Sequence, residues 1–166
     1  MGHEKNRARI KRHFVWAFIF AIAMVFGVRA LWQAQADKSL LRVSFVSPKG
    51  NVPVKLEIVN TNAGRLRGLM FRRNMSQDRG MLFIFPETKE HSFYMKNTFI
   101  PLDMIFVGED RKVVGILKNV PILNEISRTV GKQSRYVIEL NGGFSDENNI
   151  TEGTEVIFES TIPEAS

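Results

Sequence analysis

The chain has 166 residues, a formal net charge of +6 and no cysteine. Its charge is uneven: residues 1–36 carry six Lys and Arg against one acid, which leaves 17 against 16 for residues 37–166 out of totals of 23 and 17. The second part therefore has no basic footprint for nucleic acid, and the chain can form no disulfide, thiol nucleophile or lipid-modified cysteine.

The leader has three parts. A basic start, with Lys5, Arg7, Arg9, Lys11 and Arg12, precedes an apolar run over residues 14–28. A segment ending in Ala34-Gln35-Ala36 follows. Charged start, short apolar middle and small-x-small site form a signal-peptide pattern. Fifteen apolar residues make a helix of about 22 Å, whereas a bilayer core of ~30 Å asks for about 20 residues. The short run favours a cleaved signal with Ala36 at the cleavage site. Arg29 and Trp32 leave a signal anchor as the alternative. In both cases the basic end stays inside and residues 37–166 face out. The expected division is a signal peptide or anchor over 1–36 and one domain over 37–166, with its core at about 40–160.

The domain reads as short strands between turns. Leu41, Val43 and Phe45 alternate with polar residues, as do Val54, Leu56 and Ile58. Thr61 or Asn62 can cap a short helix over 65–71, with Leu66, Leu69 and Met70 on one face. Residues 81–85 form an apolar run ended by Pro86, consistent with a central strand. Phe93 and Met95 alternate with Tyr94, which should face the other side. Strands over 104–107 and 112–117 flank a four-residue hairpin loop, Gly108 to Arg111. Residues 118–134 look like a long surface loop. Strands are expected at 135–140 and 154–159. Between them, Ser145 can cap a single helical turn closed by Asn148 or Asn149. The class is mainly β: one domain, a β-sandwich or open barrel with one or two short helices, preceded by an N-terminal apolar helix.

Polar residues crowd into the most apolar stretch, residues 80–106. Lys96, Asp103 and Glu139 each neighbour large apolar residues, and buried charge is costly unless paired or neutralised. One reading is a pocket in which Lys96 or a carboxylate performs acid/base work or holds a polar ligand. The other is a structural ion pair of Lys96 with Asp103 or Glu139 at one end of the sheet. Asn97 and Thr98 share this ambiguity, since Asn before a turn often bonds its own backbone. Arg65, Arg67, Arg72 and Arg73 could bind an anion, but a solvated face neutralised by acids elsewhere is the commoner arrangement. Phe83, Phe85, Phe93, Phe99 and Phe106 read as core. His91 is the domain's only histidine and reads as a solvated loop residue, so no histidine metal cluster can form. No phosphate loop, dinucleotide fingerprint or calcium loop is present, and no metal or cofactor is implied.

Five blocks in order carry a resemblance. They are Gly68-Leu69-Met70-Phe71-Arg72, Gly80-Met81-Leu82-Phe83-Ile84-Phe85, Met95-Lys96-Asn97-Thr98, Ile100-Pro101-Leu102-Asp103, and Glu139-Leu140-Asn141-Gly142-Gly143. Across roughly residues 40–160 the chain resembles the bacterial and archaeal family called domain of unknown function 192. It departs from the family pattern twice: Tyr94 stands where Trp is usual, and Gly142 where Ala is common. The resemblance implies a β-rich sandwich or jelly-roll-like fold with short helices, often behind an export signal. It implies no activity.

Three functions are open. The first is a cell-envelope binding or accessory module that holds a small polar ligand or an envelope polymer. Its candidate residues are Lys96, Asn97, Thr98, Asp103, Glu139, Asn141, Tyr94 and Arg72. The second is an enzyme using carboxylate or lysine acid/base chemistry. The third is a protein-interaction module. The expected partners are that ligand or envelope component, and the membrane through the leader if it is uncleaved; nucleic acid is not expected.

Overall fold

A computed structural model describes residues 22–25, 28 and 40–166. Residues 22–25 and 28 are helical. The rest of the apolar run and the Ala36 cleavage site lie outside the described residues. Among those described, no helix is long and apolar enough to cross a membrane.

Residues 40–166 form seven strands and two short helices. In chain order these are β1 (Leu41–Ser47), β2 (Gly50–Val59), α1 (Asn62–Arg67), β3 (Arg79–Glu90), β4 (Leu102–Val107), β5 (Val113–Val120), β6 (Gln133–Asn141), α2 (Phe144–Glu147) and β7 (Glu155–Phe158). All seven strands belong to one sheet, ordered β5-β4-β6-β3-β2-β1-β7. Every pairing is antiparallel except β2 with β3, where α1 lies in the crossover. The start of β5 also bonds toward β7: Val113 N–H donates to Thr154 O (2.9 Å), and Val156 N–H donates to Arg111 O (2.8 Å). The sheet therefore curls as a half-barrel. This matches the open-barrel expectation rather than a sandwich of two separate sheets.

Side chains alternate across a strand, and here both faces are covered. One face buries Val43, Phe45, Leu56, Leu82, Ile105, Ile138 and Phe158. The other buries Met81, Phe83, Leu102, Met104, Phe106 and Val137 beneath Leu69 and Met95. That double cover explains why β3 and β4 read as unbroken apolar runs. Ile58 and three of the aromatic residues expected in the core, Phe85, Phe93 and Phe99, are only half-buried.

Several boundaries differ from expectation for identifiable reasons. β3 continues through Pro86 to Glu90, because the ladder with β6 is irregular between Ile84 and Lys89 and needs no Pro86 N–H there. Thr61 caps α1, accepting from Gly64 N–H at 3.2 Å, but the helix stops at Gly68 (φ 46°) instead of Phe71. Leu66 is consequently 67% exposed while Leu69 is buried. Ser145 does not cap α2. Gly143 is the N-cap, and the Ser145 N–H donates to Asp103 Oδ2 at 2.7 Å. Asn148 closes that turn. Phe93 makes only an isolated bridge, to Arg128. The bridge ties down the expected surface loop, whose first residues extend β5 to Val120.

Candidate functional site

The strand period separates the two carboxylates expected to act together. On β4, Asp103 shares a face with Ile105; on β6, Glu139 shares the opposite face with Val137. Asp103 is 0% exposed, and its carboxylate accepts from the backbone N–H of Asn119 (2.7 Å), Gly143 (3.0 Å) and Ser145 (2.7 Å). Three charge-assisted bonds satisfy it. Asp103 is a structural tie between β4, the end of β5 and the start of α2.

Glu139 is built differently. It is 4% exposed and pairs in register with Met81 on β3 and Met104 on β4. Among the described residues its carboxyl has no hydrogen bond or ion pair. Burial alone pushes its pKa up to about 8, because desolvation penalises the charged form. At neutral pH the group is thus a neutral carboxyl that can donate one hydrogen bond.

Glu139 lines an open pocket of about 320 Å³. Phe83, Phe85 and Phe93 form its apolar wall, with Phe93 edge-on to Phe83 at 5.3 Å and to Phe85 at 6.2 Å between centroids. Gly68 also lines the pocket. Its positive φ suits glycine, and a Cβ there would stand 3.1 Å from Phe83 Cζ and 4.0 Å from Glu139 Oε2. Four cations, Arg65, Arg67, Lys89 and Lys96, also line the pocket. Arg65 is held in place by the carbonyls of Asn60 (2.7 Å) and Ile84 (3.0 Å).

Of the eight candidate residues, Tyr94, Lys96, Thr98 and Glu139 line this pocket. The expected salt bridge from Lys96 to Asp103 or Glu139 does not form. Lys96 is 48% exposed and meets Glu125 at 3.6 Å, because the turn that carries it points the ammonium into solvent. Asn97 makes that turn, with φ 52°, and its carbonyl accepts from Phe71 N–H at 2.7 Å. The Thr98 hydroxyl donates to Lys96 O at 3.2 Å. Asn97 and the other three candidates lie outside the pocket. Arg72 pairs bidentately with Glu57 (2.6 and 2.8 Å), Asn141 Nδ2 donates to the carbonyls of Met75 and Ser76 (both 3.1 Å), and Asp103 is the tie described above.

His91 corrects another expectation. It is 6% exposed and stacked on Phe85 at 3.6 Å, and it lines the same pocket. Among the described residues its Nε2 has no partner. Burial chiefly, with Lys89 and Arg65 adding repulsion, lowers its pKa, while backbone groups of Glu87 and Ser134 oppose the shift. Only the extension of β3 beyond Pro86 carries His91 inward. The aromatic wall was legible in part, since Phe83 and Phe85 follow Met81 at the strand period. Among the described residues, no cluster of three or more His, Asp or Glu could hold a metal.

The family model described as "Uncharacterized ACR", domain of unknown function 192, matches residues 45–158. No curated protein matches the chain. A crystal structure of a protein of unknown function from Novosphingobium aromaticivorans DSM 12444 is similar, with 33% identity and a TM-score of 0.70 over 72% of this chain and 85% of that one. A second, from Sinorhizobium meliloti 1021 and provisionally named a transcription regulator, shows 32% identity and a TM-score of 0.68 over 72% and 93%. With five sequence blocks, the matched span and the shared fold in agreement, the chain belongs to the domain of unknown function 192 family.

Proposed function

We propose that this protein is an exported cell-envelope domain that binds a small polar ligand in the pocket over Glu139. The contrast between its two buried carboxyls carries the reading. Asp103 is saturated with backbone donors, as a structural carboxylate should be, whereas Glu139 is buried without a partner beside open volume. An unpartnered buried polar group lowers stability, and a ligand acceptor would satisfy it. A pocket with an apolar wall and a few convergent polar groups is the usual form of a small-molecule site. The signal-like leader supports export, and the near-neutral charge of residues 37–166 speaks against a nucleic acid as the ligand.

Thermal-shift screening of residues 37–166 against small polar metabolites and soluble envelope-polymer fragments tests this. A ligand that binds the native state should raise Tm, with amide shifts at Phe93, Tyr94 and Glu139. Shifts confined to other surfaces would remove the reading. The pKa of Glu139 favours a second reading, acid/base catalysis, since a carboxyl near 8 can exchange a proton at neutral pH. Chemical conversion of a bound compound, lost in Glu139→Gln, would identify that case.

A further inference from the structure

We infer that the pocket takes a small organic anion lengthwise, its anionic head among Arg67, Lys89 and Lys96, its apolar body against the phenyl rings, and an oxygen acceptor at the buried carboxyl of Glu139. This rests on the binding reading above and names the ligand's chemistry.

The charge of the mouth points to an anion. Arg67, Lys89 and Lys96 are exposed residues of the lining and so stand at its outer end. Among the described residues Lys89 meets only Glu87, at 3.4 Å, and Lys96 only Glu125, at 3.6 Å, with both acids' side chains about 70% exposed. Solvated pairs of this kind are weak, so a ligand anion can displace them. Among the described residues the Arg67 side chain has no ion pair or hydrogen bond. Leu66 and Tyr94, also exposed in the lining, add apolar surface beside the cations.

The inner end points to an acceptor. Glu139 could instead ionise against an organic cation, which its aromatic surroundings would also suit. The four cations of the lining oppose that occupant and help to exclude it from the mouth. The other titratable groups that line the pocket are Arg65 and Arg67 from α1, Lys89 and His91 from β3 and its end, and Tyr94 and Lys96 from the connection to β4. Met81 and Met104 flank Glu139 from β3 and β4.

Calorimetry on the purified full chain, with three para-substituted benzenes, separates the possibilities. The probes are 4-acetylbenzoate, 4-ethylbenzoate and (4-acetylphenyl)trimethylammonium. We expect 4-acetylbenzoate to bind at least tenfold tighter than either of the others. Its affinity should fall above pH 8, where Glu139 loses its proton. Glu139→Gln keeps a donor, so it should retain binding and flatten that pH dependence. Lys96→Met should weaken the two anionic probes several-fold with little change in Tm. Tighter binding of the ammonium probe overturns the anion while leaving the pocket reading in place. Equal affinity for the acetyl and ethyl acids overturns the acceptor at Glu139. Absence of binding by all three also overturns the inference; the pocket reading then fails separately if the thermal-shift screen finds no ligand.

Discussion

Three backbone N–H groups converge on the buried carboxyl of Asp103. Asp103→Asn would replace one acceptor oxygen with a donor facing donors. We expect it to cost about 3 kcal/mol in denaturant melts at neutral pH; a loss under about 1 kcal/mol would refute the tie. Glu139 makes the opposite prediction. Its folded pKa of about 8 lies above the ordinary 4.5. Below 4.5 both states are protonated and the group has no effect. Between 4.5 and 8 the unfolded chain has lost the proton while the folded chain keeps it, so this contribution to stability falls as pH rises. Above 8 the penalty levels off at roughly 5 kcal/mol. Glu139→Gln should therefore gain stability relative to the natural protein across that window and then hold a constant advantage. A difference independent of pH would show that the carboxyl is not desolvated.

At the scale of the element, β3 organises the molecule. It pairs with β2 on one side and β6 on the other, and its alternate residues feed both cores. Gly80 permits this closeness. A Cβ there would stand 2.3 Å from the Glu139 carbonyl oxygen and 2.6 Å from Leu140 Cδ2. The obstacle is backbone, which cannot swing away, so Gly80→Ala must force β3 and β6 apart. We expect a loss of about 3 kcal/mol or more, at the upper end of overpacking effects, seen as a lowered Tm or lost soluble yield. The same displacement would disturb the pocket, because Glu139 belongs to the strand being pushed.

At the scale of the whole molecule, the two faces of one curled sheet are covered to different extents. One face is closed by Phe144 and Ile150. The other is only partly covered by Leu69, Met95 and Ile100, and the uncovered portion is the pocket. The proposed export of this domain rests on the leader. Mass spectrometry of protein recovered from its native envelope should give a mature N-terminus at Asp37. An intact leader in the membrane fraction would mark a signal anchor instead.

By itself the sequence determined the charge asymmetry on either side of Asp37, the family and the mainly-β class. It also located most strands, because those depend on local charge, five short blocks and period-two alternation in segments such as Leu41-Val43-Phe45. It placed Tyr94, Lys96, Thr98 and Glu139 among the site candidates because polar residues stand out in apolar surroundings. Only the tertiary structure decided their roles. Asp103 and Glu139 are equally hidden in sequence, yet strand register sends them to opposite faces, and one meets three amides while the other meets none. Lys96 turns outward to Glu125, and His91 turns inward just after a strand that runs past its proline. These outcomes depend on contacts between residues far apart in the chain, which local pattern does not encode.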